Sequence, residues 1–507
     1  MKIPVQNGIS NDTVMKATEH AECERLAHYV NALLPALEQF NRFDGSDLAG
    51  LERTKWRGLL DQPLPERAQG LESVLSDLQA IVIPNGLRIG APSFAAWVTT
   101  APTTAGTIAS LAATVSGAQR YFVTAYNFLE TIALRWLCEL LGIDQQFQGL
   151  FVSGGSVANL VALGAARQHA FEQLGIDPAR DGMPDMHRWR LYASSEVHHC
   201  VFRAAGILGI GRRNVSQIPV DAEMRIDLAA LEAALDRDAA AKLVPIALVA
   251  NAGTVNTGAI DPIAQMVAIA RRRKIWLHVD GAYGLFGKLD PRVAALFDGV
   301  EEADSVVTDP HKWLAAPAGS GVVFVRDHAL QERAFTMEPA DYAEGAMVKG
   351  EINSTFDSPG DDYLQIGPEM SAPSRGVAVW AILKEIGVDG VRDRVSRHCS
   401  FARRVFELAL ADERLEPLSR PTLSICCYRY RAPDTSESLL DEINAEIAQR
   451  LRIEGIVPST TRVAGKYAIR PCFINPRTTI VEVEHMVART RAIGDELIKN
   501  GRVSSTG

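Results

Sequence analysis

Apolar residues in the first ninety positions recur at helical spacing among polar ones, and from about Pro92 to Arg326 the pattern changes to short β-rich apolar runs alternating with helical stretches. The early part predicts a helical arm, broken at Pro63 and Pro65 before a further helix from about Glu66 to Val82. Beyond it, strands are expected at Arg190–Ser194, Pro245–Asn251, Ile275–Asp280, Ser305–Thr308 and Gly321–Val325, with helices at Ser156–Leu174, Leu228–Leu235 and Pro262–Arg272. Strands alternating with helices predict an α/β fold, a parallel sheet with helices on its faces. The stretch Glu338–Ser374, rich in Gly, Pro, Asp and Ser, reads as a mobile active-site segment. Helix-like and strand-like runs then alternate to Ile498, so three parts are expected: an arm over 1–90, a large domain over 91–385 and a smaller α/β domain over 386–507.

Composition narrows the partner more than the fold. With 507 residues, 47% hydrophobic, the chain can bury a large core. Its net charge of −9, with basic residues scattered, offers no electrostatic footprint for nucleic acid or an anionic membrane, which leaves a small-molecule partner as the expectation. Apolar runs such as Leu243–Ala250 stop after about eight residues, short of a membrane span. The N-terminal residues lack the apolar stretch of a secretory signal, so the cytoplasm is the expected location. Seven cysteines without CxxC spacing read as reduced thiols, and the histidines show no HExxH pattern, so no metal is expected.

Four local constellations carry candidate chemistry. Phe151-Val-Ser-Gly-Gly-Ser-Val-Ala-Asn-Leu160 runs a glycine turn into an amphipathic helix, where Gly154, Gly155 and Ser156 can cradle a phosphate on free backbone N–H groups. Tyr192 to Cys200 brings His198 and His199 to a strand end. Ile275-Trp-Leu-His-Val-Asp280-Gly-Ala-Tyr283 ends a strand on a carboxylate, at the edge where parallel sheets gather ligands. Asp304 to Trp313 delivers Lys312 on a turn, flanked by Pro310, His311 and Trp313. Each has an ordinary structural reading: an N-cap, a buried imidazole, a turn aspartate, a solvated lysine. Together they are the parts that hold a phosphorylated pyridine aldehyde, pyridoxal 5'-phosphate. Lys312 would bond the aldehyde, and Asp280 would keep the ring nitrogen protonated.

These residues resemble the group II pyridoxal-phosphate-dependent amino-acid decarboxylases, over roughly Ala91 to Ile498. The resemblance is carried by SGGSVANL, HVDGAY, DPHKW and Ala468-Ile-Arg-Pro-Cys-Phe-Ile-Asn-Pro-Arg-Thr478. It implies fold type I, with a mostly parallel seven-stranded sheet, and a homodimer whose active sites lie at the interface, the N-terminal helices wrapping the neighbour. It makes Lys312 the Schiff-base lysine, Asp280 the partner of the pyridine nitrogen, His198 the histidine stacked on the ring and Ala282 the residue beneath it. Gly154, Gly155, Ser156, Thr254, Asp309 and His311 complete the cofactor contacts. Tyr342 becomes the loop residue that protonates the reacting carbon after CO2 leaves, with Tyr363 as the fallback. Trp97, Val98 and Thr100 fall on the pocket wall, and Arg375 or Arg120 could meet an acidic substrate side chain.

The chain departs from the family pattern in places: Ala91-Pro-Ser-Phe94 stands for HPxF, Asp309 for an asparagine, Val255 for a threonine, and PEMSAPS before Arg375 for an Arg-rich segment. The resemblance implies α-decarboxylation of an L-amino acid to an amine. Oxidative release of an aldehyde, retro-aldol cleavage or transamination would use the same residues. A non-catalytic chain of the same fold would have no need for Lys312, Asp280 and His198 together.

Overall fold

Val, Ile, Leu and Ala crowd the runs that end in Ser194, Asn251, Asp280 and Thr308, and the computed structural model folds each into a strand with both faces largely covered. The structure describes residues 11–43, 55–120, 124–143, 146–184, 188–336, 363 and 365–499, with side chains from Glu24 onward. They fall into two compact units.

The first unit runs to Ala91 and includes Ile453–Gly455. It contains α1 (Asn11–Phe40), α2 (Lys55–Leu60) and α3 (Leu71–Asp77), the last passing into a π-helical turn at Leu78–Val82. The Tyr29 hydroxyl donates to Glu72 Oε1 at 2.8 Å, joining α1 to α3. The helix expected from Glu66 begins only at Leu71, after Gly70 at φ 79°, a conformation that stops helix from propagating backwards.

Twelve strands lie among the described residues of the second unit: β1 (Phe94–Ala95), β2 (Gln148–Val152), β3 (Trp189–Ser194), β4 (Val215–Ile218), β5 (Val244–Asn251), β6 (Trp276–Asp280), β7 (Ser305–Thr308), β8 (Gly321–Val325), β9 (Leu415–Pro417), β10 (Tyr428–Tyr430), β11 (Val457–Val463) and β12 (Lys466–Arg470). Seven form one sheet in the order β2-β8-β7-β6-β5-β3-β4, in which only β8 runs antiparallel to its neighbours. The α/β fold with a mostly parallel seven-stranded sheet is therefore present as expected. The sequence reading missed β2 and β4, whose segments QGLFV and VSQI are only five and four residues long and are interrupted by a glycine or polar residues.

Register decides what this sheet can do. Asn251 lies opposite Asp280, Asp280 opposite Val307, and Thr308 opposite Val322. The carboxyl ends of β2, β3, β5, β6 and β7 thus share one edge, and the turns leaving them open there. A second sheet, β1-β11-β12-β10-β9, has its own core of Phe401, Val405, Ile443, Ile447 and Met486. No helix among the described residues is long and apolar enough to cross a membrane.

Candidate active site

At that edge the chain opens a cavity of about 640 Å³, and nearly every turn singled out from the sequence contributes to its wall. Gly154, Gly155 and Ser156 follow β2, His198 follows β3, Asp280 and Ala282 close β6, and Asp309, His311 and Lys312 follow β7.

The cradle is shaped by what cannot be there. Gly154 sits at φ 128°, where side chains are strained. A Cβ on Gly155 would stand 2.8 Å from Asp309 Oδ2, and one on Gly321 would stand 2.5 Å from Gly154 Cα. With both positions bare, the eighteen-residue helix Gly155–Glu172 starts at the cavity wall and aims its positive end inward. Asn159 Nδ2 donates to the Gly155 carbonyl at 2.8 Å, and Asn159 Oδ1 faces His278 Nε2 at 3.0 Å. Burial pushes the His278 imidazole down to about 4, so it is neutral at physiological pH.

Asp280 is buried at the β6 terminus, its Oδ1 accepting the Ala282 N–H at 3.1 Å. His198 Nδ1 accepts the Cys200 N–H at 3.3 Å, which leaves Nε2 as the ring's other polar atom. Burial lowers the His198 pKa, and the negative Asp280 opposes the shift. His199 packs against His198 at 4.1 Å between ring centroids, the planes tilted by 41°, but is not part of the wall. Lys312 Nζ lies 3.0 Å from Asp309 Oδ2. Burial works against its charge, but Asp309 and Asp280 outweigh that and hold its pKa above the ordinary lysine value. His311 Nδ1 donates to the Ser320 carbonyl at 2.8 Å, which turns the ring under the cradle.

This donor set fits pyridoxal 5'-phosphate. A helix start flanked by Ser153, Ser156 and His311 suits a phosphate, a buried carboxylate at a strand end suits a pyridinium, and a lysine in the same cavity suits an aldehyde.

Other expected residues stand elsewhere. Thr254 is buried off the wall, its hydroxyl closing a turn with Thr257 Oγ1 at 3.2 Å and the Ala259 N–H at 3.1 Å. Thr100 is buried and does not line the cavity. Arg375 does not reach it either, because its guanidinium grips Glu369 with two contacts of 3.1 Å. Arg120 is buried on the carbonyls of Phe151 and Glu369. Tyr363 donates to or accepts from Thr131 Oγ1 at 2.8 Å, away from the cavity wall. Tyr342 lies outside the described residues, as does most of the expected mobile segment.

The sequence reading gave no role to Asn251, Asn256, Thr460, Thr461 or Arg470, which also line the cavity. Arg470 points its guanidinium at three backbone carbonyls, those of Trp97 at 2.7 Å, Asn256 at 3.1 Å and Val255. Trp97 itself holds φ 54°, a strained value for a large side chain, with its carbonyl fixed by that contact. A charge inside the apolar run Ala468–Cys472 was the available signal.

Comparison with known proteins agrees with the geometry. The pyridoxal-dependent decarboxylase conserved domain matches residues 54–431. An aromatic-L-amino-acid decarboxylase of Bacillus atrophaeus is 30% identical over 450 residues, covering 87% of this chain and 89% of that one. Tryptophan decarboxylase 2 of Oryza sativa subsp. japonica is 26% identical over 498 residues, covering 96% of each chain. Among solved structures, Catharanthus roseus tryptophan decarboxylase in complex with L-tryptophan superposes with a TM-score of 0.79 at 24% identity, over 97% of this chain and 100% of that one, a likeness of fold. The chain belongs to the pyridoxal-dependent decarboxylase family. Its activity is the pyridoxal-phosphate-dependent decarboxylation of an amino acid.

Proposed function

We propose that the protein converts an aromatic L-amino acid to its amine and CO2, and that it works in the cytoplasm as a homodimer. The observation that carries the reading is the convergence of Lys312, Asp280, His198 and the Gly154–Ser156 cradle on one cavity. The aromatic preference rests on the curated relatives together with a wall that offers Trp97, Val98 and Val255 beside the polar Asn256 and Thr460.

When bound, pyridoxal phosphate supplies an electron sink for the pair left as the bond from Cα to the carboxylate breaks. The chain's own residues do the rest. Gly154, Gly155, Ser156 and His311 hold the phosphate, and Lys312 anchors the aldehyde end. Asp280 keeps the ring nitrogen protonated, because a contacting opposite charge favours the cation. His198, whose pKa burial lowers, would pack against the ring and could carry a proton at Nε2. Arg470 is the one guanidinium among the described wall residues, and it faces carbonyls. It therefore leaves the substrate carboxylate unclamped, which favours its departure, since a clamp would stabilise the ground state.

The dimer reading is supported by the helix Thr104–Val115, which exposes Ile108, Leu111 and Val115 along one side, an apolar stripe suited to a second copy. Residues 1–90 serve that dimer as an arm, residues 91–385 bind the cofactor and residues 386–507 form the smaller domain. Six described cysteines are unbridged thiols, in keeping with a reducing compartment.

Incubation of the cofactor-loaded protein with single L-amino acids, measuring CO2 and the organic product, tests the reading. Amine and CO2 in equal amounts from tryptophan, tyrosine or phenylalanine are expected. An aldehyde with ammonia and peroxide, or turnover confined to acidic or diamino acids, would overturn it. On dilution, dimer and activity should disappear together.

A further inference from the structure

Asp309 is the residue that follows β7, and its surroundings are specific. The side chain is 2% exposed. Oδ2 lies 3.0 Å from Lys312 Nζ and 3.8 Å from His311 Nε2, while Oδ1 is buried with no hydrogen-bond partner. Both oxygens press on the phosphate cradle: a Cβ on Gly155 would meet Oδ2 at 2.8 Å, and one on Gly321 would meet Oδ1 at 2.8 Å. A carboxylate held this close to a bound phosphate, out of water, is strongly repelled, whereas a carboxylic acid there donates a hydrogen bond. The proton required is already present on its ion-pair partner.

We propose that Asp309 takes the proton of Lys312 as the cofactor loads, freeing the lysine to react and turning itself from a carboxylate into a hydrogen-bond donor toward the phosphate. This rests on the assignment of the cavity to pyridoxal phosphate.

The step balances without an outside reagent. Lys312 Nζ passes one proton to Asp309, and its freed lone pair forms the bond to the aldehyde carbon. The carbonyl oxygen leaves as water with the two hydrogens remaining on nitrogen, and a C=N bond results. The other titratable groups near the pair are His311 on the same turn, Asp280 at the end of β6, and His198 and Cys200 beyond β3. Asp309 is the carboxylate in ion-pair contact with Lys312 Nζ and influences it more than Asp280 or Cys200 does, and Asp280 is committed to the ring nitrogen in the assigned site. Asparagine at this position would donate to the phosphate at any pH but would accept no proton. The substitution therefore converts a fixed contact into one that costs a proton.

Proton counting tests this directly. Protein stripped of cofactor is titrated with pyridoxal phosphate at pH 8 by calorimetry in buffers of different ionisation enthalpy, for the wild type and for Asp309→Asn. Whatever the charge on the C=N nitrogen, and with Lys312 a cation before loading in both proteins, the wild type should take up one more proton per site than the variant, and its Kd should rise about tenfold more steeply per pH unit. With pyridoxal, which lacks the phosphate, that difference should vanish. The comparison of pyridoxal phosphate with pyridoxal on wild-type protein stands alone if the variant does not fold. Equal proton counts for wild type and variant, or for the two ligands on wild type, would overturn the inference while leaving the cofactor assignment intact. Absence of any binding or of a visible absorbance band would overturn the assignment and the inference together.

Discussion

His278 Nε2 stands 3.0 Å from Asn159 Oδ1, and this contact ties the strand ending in Asp280 to the helix that opens the glycine cradle. Its direction can be read. Asn159 gives its amide hydrogen to the Gly155 carbonyl, so Oδ1 is the atom turned toward His278 and must accept from Nε2–H. Nδ1 then accepts from the Ser305 hydroxyl at 3.0 Å, which itself accepts from Trp276 Nε1 at 2.8 Å. One neutral imidazole thus links the strand and the helix that carry the two ends of the proposed cofactor site.

His278→Leu should therefore weaken cofactor affinity as well as the fold. Loss of the buried contacts leaves Asn159 Oδ1 and the Ser305 hydroxyl hydrogen without their His278 partner, at about 1–3 kcal/mol each, while Asn159 keeps Gly155 and Ser305 keeps Trp276. A raised Kd for pyridoxal phosphate, read from its absorbance, together with a lower Tm is expected. An unchanged Kd would show that the cradle keeps its shape without this link.

Acid should destabilise the protein through the same residue. The His278 pKa falls from 6.5 to about 4 in the folded state, through burial first, and that of His398 to about 3. The unfolded chain then binds more protons below pH 6.5, so stability drops as pH falls from 6.5 toward 4, at up to about 1.4 kcal/mol per pH unit per group. Melting curves across that window should show the fall, and His398→Gln should make it shallower.

Adding a single methyl should spoil the cradle. Gly321→Ala places Cβ 2.5 Å from Gly154 Cα and 2.8 Å from Asp309 Oδ1. Overpacking against backbone costs about 1–3 kcal/mol, and the cradle yields before the sheet does. Faster release of cofactor on dialysis, at a modestly reduced Tm, is the expected outcome.

Removing Arg470 should separate substrate binding from cofactor binding. Arg470→Met strips the carbonyls of Trp97, Val255 and Asn256 of their donor and relaxes Trp97 from its φ of 54°. KM should rise several-fold while the cofactor absorbance band stays. Loss of that band instead would place the arginine's effect on the cofactor.

Asp280→Asn and Lys312→Ala probe the chemistry. The asparagine removes the charge proposed to hold the ring nitrogen protonated and should lower kcat by about 10²–10³, the scale of losing one preorganised electrostatic partner. The alanine should abolish borohydride-stable labelling as well as turnover.

Much of the site was legible because its parts are local. A glycine turn before a helix, a carboxylate closing an apolar strand and a lysine on the next turn each occupy fewer than a dozen positions, and parallel strands bring their ends to one edge. The links between these parts were not legible. His278 and Asn159 are 119 residues apart, and Trp97 and Arg470 are 373 apart, so no local pattern pairs them. Arg375 and Arg120 read from sequence as cations free to meet a substrate, but burial had already committed them, to Glu369 and to backbone carbonyls. Strands β2 and β4 were overlooked because they are short edge strands, of five and four residues, that lean on a single neighbour for their pairing.

The pairing of β7 with β8 has a consequence for turnover. Thr308 lies opposite Val322, so residues 309–320 leave the sheet and return to it on adjacent strands. The amine of Lys312, the proposed anchor of the aldehyde, is carried on that closed loop and would be held close by when another nitrogen displaces it. It waits within reach at high effective concentration, so the step that frees the product meets its nucleophile without a search.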